Sequence, residues 1–519
     1  MTGQPVDPVV AILAQGRQQP DEIAIIDASA ATTTYQSLCH QLLSARHGLR
    51  EQGLRDGDGV LFAMRGSATA VAVLLGILAA GGVVIFADTA VGPQLFSARV
   101  RVSAPKWVVA ESVLYPASVF GPLRALVRRR GRPLPDLRAA IADPALRHVY
   151  SGPRWPGVPR RAQPLRRLLT GPVAEIPSSI AVPGADSPAL VVFTSGTTAR
   201  PRGVLHSRGT LAAGLAMLGR HIQIQPGDVL HAQGIVAVLP ALAAGARVSL
   251  PALSGPPERF ARDLAERRVT HVYGVPVHLA EVLRAAPRWP DRVRYVLMGS
   301  APAAPAVLRQ AMAAAPAAEV LSVYAMTEAI PLAIASARDK LAHVEAGQPG
   351  DLLGAPVPGV RARIAEDGEL LVTGPNVCVG YLGHDPITEL PTGDLARIDE
   401  QGRVIMLGRK KDMLIRGSYN IYPGLYESAI AALPGVREAA MVGLPDPVTQ
   451  DEAVVLAVVA EPGADSGALP GRLRRLLPDV IDAEAVPDRI VVLTELPRSG
   501  RSRKLDRDRL RTLVSGGAR

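Results

Sequence analysis

At 519 residues the chain is long enough for two or more domains and a large core. Apolar residues at 48% and charged residues at 20% exclude global disorder, and aromatics at 4% exclude an aromatic-rich nucleic-acid or carbohydrate platform. Two cysteines, Cys39 and Cys378, exclude a disulfide framework and a cysteine-rich zinc site, and a reducing cytoplasm is the expected compartment. The net charge of +10 is local: eleven arginines between Arg128 and Arg167, opposed only by Asp136 and Asp143, carry +9 of it.

The opening MTGQPVDPVV lacks a basic stretch followed by an apolar run, so no secretory signal is expected. Thr34-Tyr35 begins a helical pattern that runs through Leu49, GLRDGDGV is a turn, and a short strand follows over Val60 to Ala63. Ala68 to Ala87 is a twenty-residue run without a charge, long enough to mimic a membrane span. Gly76, Gly81 and Gly82 interrupt it and its end, VVIFAD, is β-branched, so a buried helix, a glycine turn and a buried strand are expected instead of a span. Residues 104–186 are irregular, proline-rich and basic. A solvated surface insertion is expected there; the competing reading is a docking surface for an acidic partner, phosphate groups or lipid headgroups.

Alternation of strands and helices resumes at ALVVF and continues through ARVSLP, THVYGV, RYVLMG and EVLSVY. This rhythm predicts an α/β fold with parallel sheets. From Gly368 the texture is β-rich (GELLVTG, GRVIMLGR), and a junction falls near Arg409-Lys410-Lys411-Asp412. The expected organisation is a large N-terminal domain over residues 1–410 and a small α+β domain over residues 411–519.

Directly after ALVVF comes Thr194-Ser195-Gly196-Thr197-Thr198-Ala199-Arg200-Pro201-Arg202-Gly203. Small residues let the backbone bend around a ligand, hydroxyls and N–H groups suit phosphate oxygens, and Arg202 adds charge. No Gly-Lys-Ser/Thr ends the loop, so it is not the P-loop of ATPases. Further along stand Gly299-Ser300-Ala301-Pro302, Tyr324-Ala325-Met326-Thr327-Glu328, Thr392-Gly393-Asp394, Gly408-Arg409-Lys410-Lys411-Asp412, Ile415-Arg416-Gly417, Asn420-Ile421-Tyr422-Pro423, and Leu496-Pro497-Arg498 with Lys504. Each motif alone reads as an ordinary turn, core aromatic or surface charge.

Together and in this order they resemble the class I adenylate-forming superfamily of acyl-CoA synthetases, amino-acid adenylation domains and luciferases, over nearly the whole chain. The resemblance implies a large AMP-binding domain with a mobile C-terminal lid. It implies an AMP-forming ligase that joins a carboxylic acid to the α-phosphate of ATP, releases pyrophosphate and holds an acyl-adenylate. By this likeness Thr194, Ser195, Gly196, Thr197, Thr198 and Arg202 hold the β- and γ-phosphates. Gly299, Ser300, Ala301 and Pro302 line the adenine slot, with Tyr324 stacked on the base. Thr327 touches the α-phosphate, Glu328 binds Mg²⁺, and Asp394 takes the ribose hydroxyls with Arg409 assisting. Lys504 is the catalytic cation between two anions, although the basic SGRSRKLDRDRLR around it also reads as a solvated tail. Lys411 is the hinge, and Gly417 leaves room for the pantetheine thiol of CoA. His231 and Gln233 are candidates for the acyl pocket or for structural roles.

The chain departs from the family pattern at several places. Ala199 and Arg202 stand where glycine and lysine are usual, Arg208 where a histidine is usual after the loop, and Ala325 where glycine follows the tyrosine. Arg503 precedes Lys504 where the family usually has a small residue, often glycine. The expected product is an acyl-CoA thioester. YAMTEAIPLA and the arginine-rich insertion also resemble the olefin-pathway β-lactone synthetases, which cyclise a 3-hydroxy acyl-adenylate. Two further readings stay open: acyl transfer to a separate acyl carrier protein or an amine, and a catalytically degenerate nucleotide- or nucleic-acid-binding protein. No nucleic-acid partner and no membrane span are expected.

Overall fold

The computed structural model describes residues 5–86, 93–120, 137–171, 175–193, 201–234, 236–252, 255–416, 419–445, 452–481, 485–499 and 503–515. The phosphate-loop candidates Thr194, Ser195, Gly196, Thr197 and Thr198, with Ala199, and the proposed pantetheine glycine Gly417 lie outside these residues.

Two large sheets build the N-terminal part. An eight-stranded sheet runs parallel through Val83–Phe86, Gly59–Ala63, Trp107–Glu111, Arg147–Ser151 and Gln163–Pro164; Pro188–Phe193 joins it parallel to Val83–Phe86. Gly203–Ser207 and Gly380–Tyr381 extend it antiparallel. A thirteen-stranded sheet has Thr32–Thr34 at its edge, antiparallel to Ile23–Ile26, and continues with parallel pairing of Ile23–Ile26, Arg247–Ser249, Val229–Ala232, His271–Gly274, Tyr295–Met298 and Glu319–Met326. It then turns antiparallel at Ala329–Ser336 and ends in Asp351–Pro356, Val404–Arg409, Leu390–Ile398, Glu369–Thr373 and Arg361–Ile364. The texture read from Gly368 onward covers only its strands Glu369–Thr373, Leu390–Ile398 and Val404–Arg409; the antiparallel half begins earlier, at Ala329–Ser336.

The charge-free run is a buried helix, a turn and a strand. Ser67 caps the Ala68–Ala79 helix by accepting from Ala70 N, and every residue of that helix but Thr69 is buried. A helix apolar on all sides belongs inside the protein or in a membrane; no helix among the described residues is long and apolar enough to cross one. Gly76 sets its packing distance. A Cβ there would lie 2.6 Å from Ala45 Cβ and 3.0 Å from Leu42 O, both on the Tyr35–Glu51 helix. The chain then reverses at Gly81, at φ +79°, and enters Val83–Phe86.

The described part of the basic segment uses several arginines locally. Arg147 lies over the Trp107 ring at 5.2 Å, and Arg154 lies over Tyr150 and donates to the Pro159 and Arg160 carbonyls. Residues 121–136 lie outside the described residues.

The small C-terminal domain is built on Val436–Pro445, Glu452–Ala460 and Arg489–Leu493. Strand alternation divides its core. Met441, Val454, Leu456 and Val458 face Leu469 and Leu473 of the Leu469–Leu476 helix. Ala440, Val442, Val455 and Ala457 face Leu510 and Val514 of the Arg507–Ser515 helix.

Candidate active site

The site forms where the parallel strands of the large sheet end and the antiparallel hairpins begin, the side of an α/β sheet on which ligands bind. Leu390–Ile398 pairs with Val404–Arg409 so that Asp394 and Arg409 are direct cross-strand neighbours. That register produces their ion pair, Arg409 Nε to Asp394 Oδ1 at 2.8 Å. Thr392 Oγ1 donates to Leu370 O and accepts from Asp394 N, and Gly393 turns at φ +72°. The Thr-Gly-Asp sequence is therefore a fixed kink that aims the aspartate inward.

Asp394 is 1% exposed. Its Oδ2 accepts from Tyr324 Oη at 2.6 Å, seventy residues away in sequence. Its Oδ1 receives no aligned hydrogen bond, although Arg409 is close. Burial raises the Asp394 pKa above the ordinary aspartate value, opposed by Arg409, the Tyr324 hydroxyl and Lys504. Burial and the neighbouring Asp394 carboxylate raise the Tyr324 phenol well above its usual value, so it stays a neutral donor.

Tyr324 lies in the Glu319–Met326 strand, and Thr327-Glu328 is the turn into Ala329–Ser336. Glu328 is buried; its Oε1 accepts from Tyr381 Oη at 2.9 Å and its backbone carbonyl from Cys378 N at 2.7 Å. Arg202 lies over the Tyr381 ring at 5.7 Å, which brings this end of the phosphate-loop segment to Glu328. Burial, then Glu328, pushes the Cys378 thiol up to about 12, so it is an inert core group.

Gly299 and Ser300 follow the Tyr295–Met298 strand, and Ser300 has φ +68°. Ser300 Oγ lies 3.3 Å from Tyr273 Oη, and a Cβ on Gly299 would come 3.2 Å from the same oxygen. Ala301 is half-buried and Pro302 exposed.

Lys504 comes from the opposite end of the chain. It begins the Lys504–Leu505 strand, which pairs with Arg498–Ser499. Its side chain is open to solvent, yet desolvation, then Arg409, lowers its pKa, with Asp394 and Glu328 opposing and Lys411 adding to the lowering. Asp394, Glu328, Arg409 and Lys504 thus share one electrostatic neighbourhood. Lys411 lies in the 3₁₀ turn Lys410–Asp412 between the last strand of the large sheet and Leu414–Arg416.

His231 stands apart. It is fully buried, with Nδ1 2.8 Å from Ser249 Oγ and its ring edge-on to Phe260 at 4.3 Å. Burial, then Arg267, then His278, pushes it down to about 3, so the imidazole is neutral. Gln233 is half-buried just beyond the same strand.

Two features escape a reading by motif. His206, not position 208, carries an imidazole into the site: Nε2 lies 2.8 Å from Thr327 O and Nδ1 3.2 Å from Thr210 Oγ1. Burial lowers its pKa. Arg208 is buried elsewhere, donating to Leu78 O and paired with Asp7 at 2.9 Å. Strand alternation held the signal, since His206 sits in Gly203–Ser207 and Arg208 opens the next helix. The second feature is Arg503, which reaches Glu281 of the Pro276–Ala285 helix at 3.2 Å.

The AMP-binding enzyme profile matches residues 12–382, and the AMP-binding enzyme C-terminal domain profile matches residues 425–504. The chain belongs to the AMP-binding enzyme family. It is therefore an adenylate-forming enzyme that activates a carboxylic acid. The chain is 32% identical over 345 residues to a feruloyl-CoA synthase of Amycolatopsis sp, covering 60% of this chain and 69% of that protein. It is 26% identical over 544 residues to a medium-chain fatty-acid–CoA ligase of Escherichia coli K12, covering 96% and 89%. ATP-bound MatB from Rhodopseudomonas palustris superposes with a TM-score of 0.75 at 25% identity, covering 97% of this chain and 99% of that one. The likeness to β-lactone synthetases gains no support from these AMP-binding relatives.

Proposed function

We propose that the chain is an ATP-dependent acid–CoA ligase whose adenylation site is the Asp394–Tyr324–Arg409–Lys504 cluster. The observation that carries this reading is the buried Asp394 Oδ1, an acceptor without an aligned donor beside three polar partners. A buried carboxylate in that state suits two vicinal hydroxyls, as a ribose offers. Tyr324, tied to Asp394, supplies an aromatic face for the base, with Gly299, Ser300, Ala301 and Pro302 as the opposite wall.

Glu328 fits Mg²⁺ on chemical grounds: it is a buried carboxylate with one oxygen engaged by Tyr381 and Arg202 nearby. When bound, the ion would offset phosphate charge. Thr194, Ser195, Gly196, Thr197, Thr198 and Arg202 are assigned to the outer phosphates and Thr327 to the α-phosphate. His206 fixes the Thr327 carbonyl and so the turn that carries Thr327 and Glu328.

In the first step a carboxylate oxygen of the acid bonds to the α-phosphorus while the bond to the β-phosphate oxygen breaks and pyrophosphate leaves. Lys504, protonated, screens the two approaching anions and stabilises charge developing between them. In the second step the CoA thiol bonds to the acyl carbon, AMP leaves and the thiol proton is released. We place the domain boundary at residues 410/411, with Lys411 as hinge and Gly417 beside the thiol's path. His231 is read as a structural histidine and Gln233 as the pocket candidate. The names of the CoA ligase relatives support CoA as acceptor; a separate carrier protein or an amine is the second reading.

ATP–pyrophosphate exchange with Mg²⁺ and without CoA, over fatty, aryl, branched and 3-hydroxy acids, tests this function. Exchange with an acid, followed by acyl-CoA on adding CoA, is the expected result. Exchange with a 3-hydroxy acid and loss of AMP without CoA would favour cyclisation. Silence with every acid while ATP still binds would favour a degenerate binding protein.

A further inference from the structure

We propose that Glu281 is a positioning residue for Lys504, acting through Arg503; this rests on the adenylation reading above. Lys504 needs such help. No ion pair holds its own ammonium among the described residues; Asp394 and Glu328 favour its charge without bonding it, and Arg409 and Lys411 act against it. Its placement must come from the short hairpin that carries it.

That hairpin is fixed at its base within the C-terminal domain. Arg498 pairs with Glu438 and donates to Arg503 O at 3.1 Å. Asp506 N donates to Pro497 O at 2.9 Å, and Arg507 pairs with Asp412 and Glu427. At its tip, next to Lys504, the side chain of Arg503 crosses to the large domain and meets Glu281 Oε1 at 3.2 Å, 222 residues away in sequence. Glu281 lies on the Pro276–Ala285 helix, which follows the strand whose Tyr273 contacts Ser300. Arg503 makes this contact from φ +47°, a conformation that favours glycine. A long cationic side chain at a glycine-type position, aimed at a carboxylate of the other domain, ties the residue before Lys504 to the wall of the nucleotide site.

The pair is half-exposed, with Arg503 50% and Glu281 38% accessible, so its worth is that of a surface ion pair. Glu281→Gln should lower kcat for ATP–pyrophosphate exchange about two- to fivefold with the KM for ATP unchanged. Glu281→Arg should lower it further, and the charge-swapped double variant Glu281→Arg/Arg503→Glu should return to within about twofold of Glu281→Gln or better. Hydrogen exchange in the Arg498–Leu505 hairpin should quicken in Glu281→Gln at unchanged Tm. Wild-type kcat in Glu281→Gln, or a double variant no better than Glu281→Arg, would overturn the proposal. If the wild type exchanges with no acid, the adenylation reading fails by itself; an unchanged hairpin exchange rate in Glu281→Gln would then overturn the tie separately.

Discussion

Asp394 and Asp228 are both buried aspartates at the large sheet, and each has an arginine partner, yet their hydrogen bonding differs and the roles proposed for them are opposite. Asp228, 6% exposed, is saturated: Arg294 donates to both of its oxygens at 2.7 Å, and Gln225 N donates at 3.1 Å. Asp394, more deeply buried, has one oxygen taken by Tyr324 and the other close to Arg409 without an aligned bond. Burial alone does not separate a structural acid from a binding acid. The proposed distinction is an unfilled acceptor on an acid that also lies among Tyr324, Arg409 and Lys504, because a buried group carries the cost of an unmade hydrogen bond until a ligand makes it.

The largest expected effect belongs to Lys504, the proposed cation, which lies in the electrostatic neighbourhood of Asp394. Lys504→Ala should cut adenylation by about 10²–10³ in kcat while ATP still binds, read by pyrophosphate exchange and by ATP titration. The same lysine sets the alkaline limit. Because its pKa lies below the usual lysine value, it loses its proton earlier as pH rises. Exchange should therefore begin to fall at a pH below about 10.4, and Lys504→Arg, which stays charged, should move that limb upward. Normal pyrophosphate exchange in Lys504→Ala would remove the residue from the mechanism.

Next comes the contrast between the two aspartates. Asp394→Asn should raise the KM for ATP roughly ten- to a hundredfold, the worth of a charge-assisted hydrogen bond to a hydroxyl. It should not lower Tm. The raised pKa means that the folded state is penalised when Asp394 is ionised; the penalty is full above the folded pKa and shrinks away as pH falls from there to the unfolded value, and asparagine removes the charge altogether. Asp228→Ala should do the reverse, costing about 1–3 kcal/mol of stability with the KM for ATP within about twofold of wild type. A Tm loss in Asp394→Asn without a KM change would erase the distinction. Lys411→Pro should impair thioester formation several-fold more than pyrophosphate exchange, since proline fixes φ at a proposed hinge; equal loss in both assays would count against a hinge there.

Much of this was legible in the chain. Ser67, the glycines after Ala79 and the β-branched VVIF dictate a helix, a turn and a strand through local preference, and burial only fixes what the pattern already implies. The Thr392-Gly393-Asp394 kink is local only in its glycine, since Thr392 and Gly393 are held by Leu370 and Glu369 of the neighbouring strand. His206 was not legible, because two positions from Arg208 it turns on strand alternation and on a carbonyl 121 residues away. Nor was the role of His231 legible, since its neighbours Ser249 and Phe260 come from other elements.

The sequence by itself determined the family, the alternating α/β architecture and the residue types proposed to meet a nucleotide, because these rest on short-range periodicity and on motifs in a fixed order. Only the tertiary structure decided which of those residues share a site. Tyr324 reaches Asp394, Lys504 comes into the field of Asp394 and Glu328, and Arg503 reaches Glu281, all through sheet register and domain packing. Contacts between residues so distant in sequence leave no mark in local propensity. They appear only when the backbone has brought the strand ends and the C-terminal hairpin to the same place.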